Sequence, residues 1–227
     1  LEQFTKILPR KGTVPNSIDE GAGQYRAIGR VVALYKLQSI RTEIDRALTK
    51  ISVNCAQEMS RLAGVLNSQA TTQFKPNIVL VGSLSGGSGS GQLLDISEAI
   101  KSVTNFAQTA ILYAPDIFSD IVGKRHGLNA NSLTAINEIV NGFHSRKRTD
   151  SLEALYAAFG MAPSQQTQAT SVGPKHLYLF GKSNGRVTFP SQNAVYKAVS
   201  ISLAQWVLNS SINDAILSKW HVNASTN

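Results

Sequence analysis

Residues 77–100 concentrate the backbone chemistry of this 227-residue chain. An apolar run, Ile78-Val79-Leu80-Val81, leads into Gly86-Gly87-Ser88-Gly89-Ser90-Gly91, and the apolar periodicity of Leu93, Leu94, Ile96 and Ile100 follows. Glycines alternating with serines let successive backbone N–H groups turn toward one point. The amides of a helix N-terminus and the positive end of its dipole add to that point. Phosphate binding is the chemistry that fits. A flexible linker or a plain tight turn is the competing reading, but a linker has no reason to sit between a buried strand and an amphipathic helix. The loop is not a Walker sequence, because no Lys follows its last glycine. The dinucleotide fingerprint needs Gly-x-Gly-x-x-Gly and an acidic residue about twenty positions on. Gly87 and Gly89 match its first half, Gln92 stands at the third glycine, and Asp116 ends the next predicted strand. A Rossmann-type dinucleotide-binding enzyme is thus a weaker alternative.

Elsewhere the reactive side chains do not assemble. His126, His144, His176 and His221 lack metal-ligand spacing, so no protein metal site is expected. No Gly-x-Ser-x-Gly elbow with a triad order stands apart from the Gly/Ser loop. Cys55, the single cysteine, cannot form an internal disulfide. It lies in a helical pattern, is read as an inert buried thiol, and fits a reducing, cytoplasmic setting. Arg26 and Arg30 share a helix face, with a solvated pair favoured over contact with a phosphate. Trp206 and Trp220 read as core or interface residues.

The elements that must hold the loop follow from periodicity. Residues 1–20 are irregular, punctuated by Pro9, Gly12 and Pro15. Gly21-Ala22-Gly23-Gln24 opens a long helix with an apolar stripe through Ile28, Val31, Leu34, Leu37, Ile40, Ile44, Leu48 and Ile51, continuing weakly to Leu66. A strand over 77–84 precedes the Gly/Ser loop, and a helix over 91–103 follows. Next come a strand over 109–113, a helix over 129–143, a short helix over 151–160 and a polar loop over 163–173. A strand over 176–180, a turn through Gly181-Lys182-Ser183-Asn184-Gly185 and a helix from Ser191 to Leu208 complete the series. Helices alternating with strands imply a parallel sheet with crossover helices.

Composition narrows the classes. The apolar fraction of 42% allows a sizeable core. No apolar run is long enough to span a bilayer, and no secretory signal opens the sequence. The net charge of +8 is scattered apart from His144-Ser145-Arg146-Lys147-Arg148. No nucleic-acid-binding signature accompanies that cluster, so nucleic acid is not an expected partner.

One family pattern joins these pieces. Gly86–Gly91 between strand and helix resembles the Gly-Gly-Thr-Gly-Ser-Gly phosphate loop of the tubulin/FtsZ superfamily, with Ser88 keeping the hydroxyl of Thr. Gly21-Ala22-Gly23-Gln24, preceded by Asp19 and Glu20, resembles the family's Gly-Ala-Gly-Asn loop, which faces the terminal phosphate. Pro115-Asp116 corresponds to the ribose-facing loop. Gly123-Lys124-Arg125-His126, ahead of Ala130, resembles the segment opening the next helix, where a basic residue, here Arg125, reaches the nucleotide in relatives. Phe189 and Asn193 match the aromatic and the Asn that begin the central helix, stacking on guanine and hydrogen-bonding its edge. The plainer alternative is Phe189 in the core and Asn193 as a helix cap. Ser211-Ile212-Asn213-Asp214-Ala215 is similar to the catalytic loop Gly-x-Ile/Leu-Asn-x-Asp. Its glycine is missing, Ala215 takes the Asp position, and Asp214 lies one place early. The Gly-Ala-Gly-Gln-Tyr-Arg-x-Ile-Gly-Arg start is most similar to the divergent bacterial tubulin-like proteins.

The resemblance implies an α/β domain with a mostly parallel sheet, helices on both faces and a long central helix at its end. It implies GTP or GDP as ligand, Mg2+ held mainly through the nucleotide, and self-association into filaments. Hydrolysis would be completed by the next subunit's loop through Asn213 and Asp214. The departure at Ala215 favours an alternative, a nucleotide-binding scaffold of the same fold without turnover. The expected layout is an irregular segment over 1–20, a partial nucleotide-binding domain over 21–208, and over 209–227 a loop with the start of a second domain. The family's first strand and its Gly-rich loop are expected before residue 20, where only Gly12 stands. The chain therefore reads as an excerpt of a larger protein, with weak or no nucleotide binding expected of the excerpt alone.

Overall fold

The computed structural model describes residues 21–66, 76–120, 127–144, 150–161, 172–208, 211, 212, 215, 216 and 218. Helices α1 (Arg26–Tyr35) and α2 (Leu37–Leu66) come first, then β1 (Ile78–Ser83), α3 (Gly87–Val103) and β2 (Gln108–Tyr113). A 3-10 turn (Pro115–Phe118), α4 (Leu128–His144), α5 (Asp150–Ala158), β3 (His176–Phe180) and α6 (Gln192–Leu208) follow. Among the described residues no helix is long and apolar enough to cross a membrane.

The strands form one parallel sheet in the order β1-β2-β3. Alternation along β2 divides the core. Ala110 and Leu112 face Leu93 of α3 and Ala135 and Ile139 of α4. Ile111 faces Val195 and Val199 of α6 on the other side. Helices therefore cover both faces, as the alternating order of elements requires. A third layer lies outside α3, where Leu34 of α1, Leu37 of α2 and Tyr156 of α5 close over Ala99. Because α3 is enclosed on several sides, its polar residues Asp95, Ser97 and Glu98 are buried. Ser97 is satisfied by the Gln108 side chain, donating to Oε1 at 2.7 Å while its carbonyl accepts from Nε2 at 3.0 Å.

Two boundaries differ from the sequence reading. The helix expected as continuous from Gln24 to Leu66 is divided at Lys36, whose φ of −96° and ψ of 7° leave the helical region. The hydrogen-bond ladder still runs across the break, Lys36 to Val32 and Ile40 to Lys36. The apolar stripe fades along α2, and Ile51 is half exposed. The helix expected from residue 91 already starts at Gly87, so most of the Gly/Ser segment is its first turn rather than a loop. Of the polar loop over 163–173, only Val172 and Gly173 are described; the Val172 amide donates to Gly142.

Candidate functional site

Register brings the strand ends together. Ser83, Tyr113 and Phe180 lie side by side at the C-terminal edge of the sheet. The segments after all three strands leave from that edge, the usual place for ligands in open parallel sheets. The segment after β1 is tied down at once. Leu84 N–H donates to Tyr113 O at 3.1 Å, and Ser85 N–H to Ser83 Oγ at 3.0 Å.

The two glycine-rich segments, far apart in sequence, touch. Gly87 N–H donates to Gly23 O at 2.7 Å. Asn131, in the first turn of α4, bridges both, its Nδ2 donating to Gln24 O at 2.7 Å and to Ser85 O at 2.9 Å. Beneath it Ser132 Oγ donates to Leu128 O at 2.8 Å. Ser85 Oγ lies 3.0 Å from Ser132 Oγ; since the single Ser132 proton is already used, Ser85 is the donor.

The first four amides of a helix lack intrahelical acceptors. In α3 that of Gly87 is spent on Gly23. Among the described residues no protein acceptor takes those of Ser88 and Gly89, and the N-cap Gly86 supplies no side-chain cap. In α6, by contrast, Ser191 Oγ accepts the Ala194 amide at 3.2 Å.

The glycines have different reasons for being glycine. A Cβ on Gly87 would lie 2.8 Å from Ala22 O and from Tyr25 N and O, and one on Gly91 would strike Arg26 O. A Cβ on Gly29 of α1 would strike Gly87 O. These three let α1 and α3 cross in near-backbone contact. Gly89 makes room for Ser83, whose O would sit 2.9 Å from its Cβ. Gly21 and Gly23 adopt φ of +84° and +53°, a region that favours glycine. Gly86 has none of these reasons. Its φ of −84° is ordinary, and a Cβ there would meet nothing within 4 Å.

Serine hydroxyls are partly committed. Ser88 Oγ accepts the Ala22 amide at 3.4 Å, and Ser90 Oγ donates to Gly86 O. Arg26 is neither solvated nor poised at an open phosphate position. Its side chain is 14% exposed and pairs with Glu138 of α4 at 2.5 Å. It also donates from Nε to Ser90 Oγ and from Nη2 to Ser90 O, each at 3.1 Å.

On the β2 side, Asp116 is exposed, and its Oδ2 accepts the Lys182 amide at 2.7 Å, fixing the segment after β3. That segment turns through Gly185 and bridges Ser183 to Thr188. It returns so that Phe189 N–H donates to Lys182 O at 2.8 Å. The Phe189 ring, half-buried, packs on the cluster of Ile111, Ile117, Val195 and Val199. Asn193 is exposed at the second position of α6; the capping role belongs to Ser191. Arg125, Asn213 and Asp214 lie outside the described residues.

The chain matches the family described as tubulin-like over residues 7–226. It belongs to the tubulin-like family. Comparisons with curated proteins and with solved structures each gave no match.

In this tubulin-like domain, sequence reasoning missed Asn131, Ser85 and Glu138. Asn131 carried only the weak signal of a polar residue opening a helix, and Glu138 none at all. It also missed Asp95, 1% exposed at the joint of α1, α3 and α5. Tyr156 OH donates to its Oδ1 at 2.9 Å. Arg30 Nε stands 3.4 Å from Oδ2, too poorly aligned to satisfy it, so Oδ2 has no hydrogen bond. Burial pushes the Asp95 carboxyl up to about 6 against the opposing pull of Arg30. Burial and the Asp95 charge push the Tyr156 phenol far above its ordinary range.

Proposed function

We propose that this domain binds a guanine nucleotide at the C-terminal edge of its sheet and uses it in self-assembly. The observation that carries the reading is the contact between Gly21–Gln24 and the start of α3, with the Ser88 and Gly89 amides left without acceptors. Membership of the tubulin-like family supports guanine as the base and filaments as the product. In this reading the free amides of Ser88 and Gly89, within the Gly86–Gly91 segment, hold phosphates, and the open space beside Gly86 is where a ligand approaches the backbone. Gly21, Ala22, Gly23 and Gln24 close on the terminal phosphate, Asp116 and Arg125 approach the nucleotide, and Phe189 and Asn193 meet the base. Mg2+ is held mainly through the phosphates. Among the described residues no group of three or more His, Cys, Asp or Glu is placed to hold a metal.

Turnover would need Asn213 and Asp214 to complete a neighbouring copy's site, a matter of positioning and charge stabilisation. A second reading, a nucleotide-binding scaffold without turnover, is favoured by Ala215 at the expected acidic position. Measuring GTP hydrolysis by the full-length protein across a range of protein concentrations separates the two. Specific activity that rises with concentration supports the assembling GTPase. Guanine-nucleotide binding with zero turnover supports the scaffold, and a preference for NAD sinks both.

A further inference from the structure

Arg26 is a long, charged side chain that the fold has taken out of water, and what it holds is the first turn of α3. Its guanidinium makes every contact at a different level of the structure. Nε and Nη2 grip Ser90 at the hydroxyl and the carbonyl, while Nη1 and Nη2 reach Glu138 Oε1 and Oε2 at 3.3 and 2.5 Å. The gripped Ser90 hydroxyl is in turn spent on Gly86 O. The backbone of Arg26 lies against Gly91, which has no Cβ to push it away. One residue of α1 therefore fixes both ends of the segment Gly86–Gly91 and fastens it to α4.

We propose that Arg26 is a positioning residue for the phosphate-binding turn, acting through Ser90 and braced by Glu138 rather than by touching the nucleotide. The proposal rests on the nucleotide reading above. The planar fork matters, because an ammonium cannot span two Ser90 oxygens and a carboxylate at once. Arg30, one turn further along α1, pairs with Asp95 rather than with any residue of Gly86–Gly91 and serves as the structural comparison.

The test uses full-length protein carrying Arg26→Gln, Arg26→Lys, Glu138→Gln or Arg30→Gln. Backbone hydrogen exchange without nucleotide, thermal unfolding and GTP titration are measured on each. Arg26→Gln should speed exchange at Gly87 and at Gly91–Asp95 at least tenfold, leave β2 and α6 unchanged, and weaken GTP binding tenfold or more. Arg26→Lys should recover little, and Glu138→Gln should give a smaller effect in the same direction. Arg30→Gln should lower the melting temperature with GTP affinity intact. Wild-type exchange at Gly87 and Gly91–Asp95 in Arg26→Gln, or affinity loss that merely follows melting temperature across all four variants, overturns the proposal. If the wild-type protein binds no guanine nucleotide, the nucleotide reading falls, and the exchange result alone decides whether Arg26 positions the turn.

Discussion

Asp95→Asn should make this protein more stable at neutral pH. A carboxylate with an ordinary value of 3.8 is pushed to about 6 in the fold, so the folded state binds more protons than the unfolded state between those values. Where the folded state binds the extra proton, stability falls as pH rises. The loss therefore accumulates from about pH 4 to pH 6 and is fully present above that. At about 1.4 kcal/mol for each pH unit of displacement, it comes to about 3 kcal/mol. No discount for solvent applies, because Asp95 is 1% exposed. Asn mimics the neutral acid: its amide can donate to Tyr156 while its oxygen accepts from Arg30. Urea unfolding of both proteins at intervals from pH 4 to 7.5 should show nearly equal stability at the acid end. The variant should lead by about 3 kcal/mol above pH 6. A variant weaker than wild type at pH 7.5, or a difference that ignores pH, would refute the reasoning, since the Arg30 attraction would then outweigh desolvation.

Gly86→Ala should cost no more than about 1 kcal/mol of stability yet raise the GTP dissociation constant roughly tenfold, because its Cβ meets only open space in the protein. Gly87→Ala should instead lower stability by about 2 kcal/mol or more, read by thermal unfolding, because its Cβ would collide with the backbone of Ala22 and Tyr25. Asn131→Ala removes two hydrogen bonds between the glycine segments; a loss of about 1–3 kcal/mol and weaker GTP binding should accompany each other. Tyr156→Phe removes a hydrogen bond to Asp95 Oδ1, which favours the ionised acid. Its penalty should be larger at pH 7.5 than at pH 5, and equal penalties would show that Asp95 does not change protonation there.

The strand–glycine–helix unit at 78–103 was legible because an apolar run, a Gly/Ser break and a helical period follow one another without interruption. What each glycine does was not legible. Gly87, Gly89 and Gly91 owe their identity to backbones of residues far away in sequence or back along the chain, and no local pattern distinguishes them from Gly86. Arg26 looked solvated because its spacing to Arg30 describes a helix face and not what covers it. Asp95 sits in the same helical period as Leu93 and Ile96, so its burial depends on α1 and α5 closing over α3. The position of Phe189 alone does not choose between base and core, and its ring contacts the core. The parallel sheet with crossover helices followed from alternation, since crossover connections leave few other arrangements, while helices on both of its faces were what the family resemblance implied.

The most direct test is competitive binding of GTP, GDP, ATP and NAD to the full-length protein with Mg2+, by calorimetry. GTP and GDP should bind roughly a hundredfold more tightly than ATP or NAD, with Gly86→Ala weakening both guanine nucleotides while the protein stays folded. Equal or tighter binding of NAD or ATP, or no guanine-nucleotide binding by folded protein, would contradict the assignment of this edge of the sheet to a guanine nucleotide.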